Sequence, residues 1–193
     1  MPTLDGPRVR WHSQAMEKCK PLTLDDFDRL KESFRFETTL DATPERVFEV
    51  FEDPDSWPVW ARAIKKVTWT SPKPFGVGTT RDVDIMGGLT AHERFFIWEP
   101  PYRMAFYFVG TNKPAVASLG EYYELQPLSG GRSRFVWRLA YESRSFMRHV
   151  SPFLRPAVRL MNTRIVKGLE RYVRELPETK TASRPSGDSR AYG

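Results

Sequence analysis

Four polar side chains are set apart by their type and their surroundings. Glu93 lies in "HERFFIWEPPYRMAFYFVG", residues 92–110, a carboxylate stitched into a run of aromatic and aliphatic residues, and Arg81 precedes it by one predicted hairpin. Glu121 and Tyr123 stand two apart in a later run, on one face if that run is a strand. A carboxylate enclosed by apolar groups is unfavourable unless it meets a cation or holds its proton. Glu93 and Arg81, together with Glu121, could then form a polar anchor among aromatic side chains. The competing reading is structural: an ion pair at a sheet edge that touches no ligand.

Other chemistries find less support. His12, His92 and His149 form no HExxH arrangement, and one cysteine cannot build a zinc cluster, so no metal and no cofactor are expected. "GVG" at Gly76–Gly78 lacks the third glycine of a dinucleotide fingerprint and precedes a strand, which makes it a turn. "VASLG" at Val116–Gly120 has Val where a nucleophile elbow requires Gly, so Ser118 is not read as a nucleophile. Cys19 is alone and flanked by Lys18 and Lys20, which could favour a thiolate; the competing reading is an incidental thiol. With no disulfide available inside the chain, and no apolar signal stretch in "MPTLDGPRVRWHSQ", a reducing cytoplasmic location is expected.

The elements that must position the polar residues follow from periodicity. "SFRFETTL" alternates Phe34, Phe36, Thr38 and Leu40 with polar residues, as a half-buried strand does. Two short helices are predicted next. Pro44 suits a first helical position, with Val47, Phe48 and Phe51 on one face. Asp53 is read as the cap of a second helix that places Trp57 and Trp60 at i and i+3. Six strands separated by Pro and Gly turns then fill residues 64–142, an antiparallel meander. From about Met147 to Leu176 the apolar positions Leu154, Val158, Met161, Ile165, Leu169, Tyr172 and Leu176 recur at helical spacing. Pro152 and Pro156 should disturb its first turns.

Strand alternation predicts which side chains face inward. Phe135, Trp137, Leu139 and Tyr141 share one face of their strand, and Leu119, Glu121, Tyr123 and Leu125 share one face of the preceding strand. Around Pro100-Pro101 an even-length turn pairs Ile97 with Met104, Phe95 with Phe106 and Glu93 with Phe108. Across Gly87-Gly88, Glu93 meets Asp82 if the loop has two residues and Arg81 if it has three, because a slip of one residue reverses the facing.

The chain of 193 residues is 40% hydrophobic, 28% charged and 13% aromatic, enough apolar material for a real core and for a pocket wall. Its net charge of +6 comes from basic residues spread along the chain, without the dense block or motif that would indicate nucleic acid. No run approaches the ~20 apolar residues of a membrane span, although basic residues of the last helix would suit peripheral contact with anionic lipid. Residues 1–32 read as an N-terminal extension, in which Thr23 and Asp26 have capping-box-like spacing and Leu24, Phe27, Leu30 and Phe34 line one helical face; that stripe must cover the main domain or a partner. Residues 33–176 form the domain, and 177–193 are a polar Pro/Ser/Gly-rich tail expected to be disordered.

This order of elements resembles the SRPBCC superfamily, the START-like and birch-pollen-allergen-like helix-grip proteins, and in particular its polyketide cyclase/dehydrase-like branch. The local wording agrees in "ATPERVFEVFEDPDSWPVWARAIKKV", "FGVGTT", "ERFFIWEPPYRMAF" and "YYELQPLSGGRSRFVWRL", and the resemblance spans approximately Phe34 to Leu176. It implies an α+β fold: a curved seven-stranded antiparallel sheet wrapped around the long C-terminal helix, with two short helices after the first strand and a cavity between sheet and helix. Trp60, Arg81, Glu93, Phe95, Phe106, Phe108, Glu121, Tyr123, Trp137, Tyr141, Met161 and Ile165 are then the candidate cavity residues. The implied partner is a hydrophobic small molecule, a lipid, polyketide or aromatic compound. The alternatives are a polyketide cyclase or dehydrase working through the cavity acid/base residues, and an interaction module resembling the chaperone activators of this fold. Whether the chain is an enzyme, and its oligomeric state, stay open at this level.

Overall fold

The structure, a computed structural model, describes residues 16–114, 116–144, 149 and 151–176. The predicted tail at 177–193, His12 and the proposed helix start at Met147 lie outside the described residues.

Alternation in the sequence becomes one antiparallel sheet. Its strands are β1 (Glu17–Lys18), β2 (Glu32–Leu40), β3 (Ile64–Trp69), β4 (Thr80–Ile85), β5 (Leu89–Glu99), β6 (Arg103–Thr111), β7 (Val116–Leu128) and β8 (Arg132–Ser143). Seven of them run in the order β2-β8-β7-β6-β5-β4-β3, as the meander predicts, and the two-residue β1 is an addition that pairs with β6. It lies where β6 and β7 part: their register ends at Tyr107 and Gly120. The N-terminal segment fills that split, with Cys19 N donating to Val109 O at 3.0 Å and Lys20 N to Ala117 O at 2.8 Å. Cys19 is half-buried there, and burial pushes its thiol pKa up, with Arg144 opposing. Desolvation thus outweighs Arg144 and the hydrogen bond with Thr111.

Among the described residues there are four helices: α1 (Asp26–Arg29), α2 (Pro44–Glu52), α3 (Trp57–Trp60) and α4 (Ser151–Glu175). Asp26 Oδ2 accepts from Thr23 N and Thr23 Oγ1, one half of the capping box that their spacing suggested, and Asp25, not Thr23, occupies the N-cap position. Phe27 of α1 is buried against Ala105, Tyr122 and Ala140. The amphipathic segment therefore covers the sheet's outer face, while Phe34 belongs to β2 instead of to its stripe. Thr43 caps α2 ahead of Pro44. Asp53 forms a side-chain turn to Asp55 N, and Ser56, not Asp53, occupies the N-cap position of α3.

The concave face and α4 enclose the main core. Val166, Leu169 and Val173 are buried there, and Thr38 Oγ1 donates to Glu170 Oε1 at 2.5 Å, fixing the C-terminal half of the helix on β2. Helix and α3 touch at Gly168: a β-carbon there would lie 2.1 Å from Trp60 O, so only glycine permits this approach. The N-terminal half behaves differently. Arg155 donates from Nη1 to Lys31 O and from Nη2 to Ser33 O, over the Phe34 ring, and draws this half toward β2. The opposite flank, next to α3 and the β4–β5 turn, is left open.

Candidate functional site

Two turns decide what the concave face presents. Met86, Gly87 and Gly88 form a three-residue loop between Ile85 and Leu89, and both glycines adopt positive φ, +78° and +71°. Arg81 therefore stands opposite Glu93, and Asp82 meets His92 on the other face, with His92 Nδ1 and Asp82 Oδ1 2.6 Å apart. At the β5–β6 turn the loop is also three residues, Pro100 to Tyr102, so Trp98 pairs with Met104 and Ile97 with Ala105. This corrects the expected Ile97–Met104 pair. Phe96 is the extra residue of a bulge that restores the register, so that Phe95 opposes Phe106 and Glu93 opposes Phe108.

Three rows cross the concave face as a result. Trp69, Arg81, Glu93 and Phe108 form one. Phe95, Phe106, Glu121 and Leu139 form the next, and Trp98, Met104, Tyr123 and Trp137 the third. Arg81 Nε donates to Glu93 Oε2 at 2.6 Å, and both side chains are almost fully shielded from solvent. The guanidinium carbon lies 4.2 Å from the Trp57 ring centroid and 4.7 Å from that of Phe106. An arginine stacked on aromatic faces recovers part of its lost hydration through the ring quadrupoles. Burial pushes the Glu93 pKa up, and Arg81 opposes that push.

The neighbouring acid is arranged differently. Glu121 Oε2 accepts from Tyr123 Oη in a short hydrogen bond and from Trp137 Nε1 at 3.0 Å. Burial raises its pKa from the ordinary 4.5 to about 7, helped by the negative charge of Glu93 and opposed by the two donors and by Arg81. Glu121 as a residue is half-buried, whereas Glu93 and Arg81 are buried. Burial also raises the Tyr123 pKa well above its usual value, reinforced by Glu121. At neutral pH Tyr123 is a donor, and Glu121 exchanges between acid and carboxylate.

A groove of about 930 Å³ opens between α3, the β4–β5 turn and α4. Of the residues singled out in the sequence, Trp60, Met161 and Ile165 line it. Arg81, Glu93, Phe95, Phe106, Phe108, Tyr123 and Trp137 do not; with Tyr141 they are buried in the aromatic interior, and Glu121 stands at its edge. The structure thus divides the candidates into a packed polar centre and a groove wall. Trp57 lies wholly inside, its indole donating to Phe51 O at 3.0 Å.

Asn162 was absent from the sequence-level candidates. It is buried on the inward side of α4 between Val158 and Ile165, and its Nδ2 has no hydrogen-bond partner among the described residues. Its signal was visible: four residues after Val158 and seven before Leu169, it interrupts an apolar stripe. Among the described residues no three His, Cys, Asp or Glu side chains gather as a metal site would require.

The sequence model of the family described as polyketide cyclase/dehydrase and lipid transport matches residues 31–176. The chain belongs to that family. Its fold is the helix grip of the SRPBCC superfamily. An uncharacterized protein of Mycobacterium tuberculosis is 41% identical over 157 residues, covering 81% of this chain and 93% of that protein. The aromatase/cyclase ZhuI of a Streptomyces species superposes with a TM-score of 0.63 at 14% identity, over 74% of this chain and 93% of its own. A START superfamily protein of Mycobacterium smegmatis gives 0.62 at 15% identity, over 75% of this chain and 99% of its own. These two likenesses establish the common architecture. The family's hydrophobic ligand-binding fold is present here, with its long helix and sheet; the groove lies beside α3 and the β4–β5 turn, while the space expected as a cavity between sheet and helix is filled by the aromatic interior. Among the described residues no helix is long and apolar enough to cross a membrane.

Proposed function

We propose that this protein binds a hydrophobic small molecule carrying an oxygen function, seated between α3 and α4 with its polar end passing the groove wall toward buried Asn162, which follows the lining residue Met161. The observation that carries the reading is the groove of about 930 Å³, walled by Trp60, Leu160, Met161 and Ile165. Its size falls in the range of small-molecule pockets, roughly 300–1,000 Å³. Asn162 Nδ2 supports the polar end, because a buried donor without an acceptor is costly and a ligand oxygen would remove that cost. Native mass spectrometry of the purified full chain tests the reading, together with titration by a solvatochromic naphthalene dye. The expected result is one bound molecule or one dye per chain, with dye affinity at least ten-fold weaker in Ile165→Trp at unchanged melting temperature. Finding neither a bound molecule nor saturable dye binding would overturn it.

A second reading, proton-transfer catalysis of the cyclase or dehydrase type, is favoured by one specific observation. Burial holds Glu121 at a pKa of about 7 beside the donors Tyr123 and Trp137, and a proton carrier works best when its pKa lies near the operating pH. Arg81 is closed off and held by Glu93, so on this reading it acts through the field it sets at Glu121. Turnover of a poly-β-keto thioester with a pH profile breaking near 7, abolished by Glu121→Gln, is the expected result. Turnover unaffected by that substitution would exclude Glu121 from the chemistry.

A further inference from the structure

The outward flank of α4 carries a feature that small-molecule binding accounts for only in part. Phe153, Ala157, Leu160, Met161 and Arg164 fall at i, i+4, i+7, i+8 and i+11, one face of the helix. With Val59 of α3 and Met86 of the β4–β5 turn, the large apolar members of this patch are between 47% and 83% exposed. Leu160, Met161, Val59 and Met86 border the same groove, so they form one continuous surface. Contiguous apolar exposure of this kind marks an interaction site.

Its charge indicates the partner. Arg62, Arg164, Lys167 and Arg171 line the groove beside the apolar residues, and among the described residues Glu175 is the one acid there. Among the described residues none of the four cations forms an ion pair, unlike Arg29, Arg46, Arg103, Arg134 and Arg174. From these observations we infer that this face docks on an anionic lipid bilayer, the apolar side chains entering the interface and the cations meeting headgroups. A second copy would bring the same cations against one another. The segments outside the described residues do not complement the face either: 1–15 holds Arg8 and Arg10 against Asp5, and 177–193 holds Lys180, Arg184 and Arg190 against Glu178 and Asp188. A bilayer supplies both required properties, negative surface charge and an apolar layer beneath it. The inference rests on exposure and charge alone, and it stands whether or not a small molecule enters the groove.

Flotation of the full chain with vesicles tests it, using phosphatidylcholine alone and phosphatidylcholine mixed with phosphatidylglycerol. Binding to the mixed vesicles is expected to be at least ten-fold stronger and to weaken with salt. Arg164→Gln and Lys167→Gln should each reduce it about five-fold, the effect of one cation at an anionic surface. Met161→Ser should weaken binding without changing its salt dependence, and Lys20→Gln, on the N-terminal segment away from the groove, should leave it unchanged. Equal binding to both vesicle types, no binding, or an equal loss in Lys20→Gln would overturn the inference. So would a dimer in sedimentation that Met161→Ser disperses while vesicles fail to bind, since the face would then belong to a second copy.

Discussion

Arg81 and Glu93 face each other directly across β4 and β5, joined at 2.6 Å and shut away from water by the rings of Trp57, Trp69, Phe95 and Phe106. Enclosing two charges costs hydration that their attraction barely recovers, whereas removing one partner strands the other. Glu93→Gln should therefore destabilise the fold by about 3–5 kcal/mol. Replacing both, as Arg81→Met with Glu93→Leu, should recover most of that loss. Urea unfolding of the two single variants and the double variant gives the coupling; an additive cycle would show that the pair does not act as a unit.

Glu121 should make stability depend on pH in a narrow window. Its pKa is about 7 in the folded chain against an ordinary 4.5, so the native state holds a proton that the unfolded chain releases. Its contribution is then fully present below pH 4.5, is lost as pH rises through about 7, and is level above. The loss amounts to at most about 3 kcal/mol. Glu121→Gln keeps an acceptor for Tyr123 and Trp137 and cannot ionise. It should match the parent protein at pH 4.5 and exceed its stability at pH 8, measured by denaturant unfolding at both values. A difference independent of pH would refute the assignment.

Gly168 sets how closely α4 can approach α3. Gly168→Ala puts a methyl group where Trp60 O already lies, and backbone cannot yield as a side-chain tip does. A loss of about 1–3 kcal/mol is expected, the usual range for overpacking. Differential scanning calorimetry alongside tryptophan fluorescence would register it, with an altered Trp60 environment as the local signature.

Phe27 fastens the N-terminal segment to the outer face of the sheet, edge-on to Tyr122 and beneath the Arg138 guanidinium. Phe27→Ala should cost about 3–5 kcal/mol if the segment folds cooperatively with the sheet. Early proteolytic cleavage between residues 16 and 31, with global stability preserved, would instead identify the segment as a separately opening unit.

The sequence made strand alternation, the long amphipathic helix and the pairing options at Glu93 readable, because period two and period 3.6 are local properties. The length of the Gly87-Gly88 loop was not fixed locally: Met86 could end the strand or begin the turn, and only the choice that buries Arg81 against Glu93 satisfies both charges. The bulge at Phe96 was hidden for a similar reason, since Phe95, Phe96 and Ile97 are all apolar and nothing in their order marks the extra residue. The groove was partly legible, through Trp60, Met161 and Ile165. Placing the aromatic run of β5 and β6 beside it overlooked how well those rings pack around one guanidinium. Met161 appeared to point inward because the apolar stripe is wide; Asn162 takes the inward position and turns Met161 to the surface.

The seam closed by residues 17–20 has a practical consequence. A fragment cut at residue 31, where the family match begins, would leave Val109 O and Ala117 O without their donors and β6 with a bare hydrogen-bonding rim. Unpaired strand rims recruit strands from other molecules. Shortened versions of this chain should therefore clump during purification unless Glu17 to Lys20 travel with them.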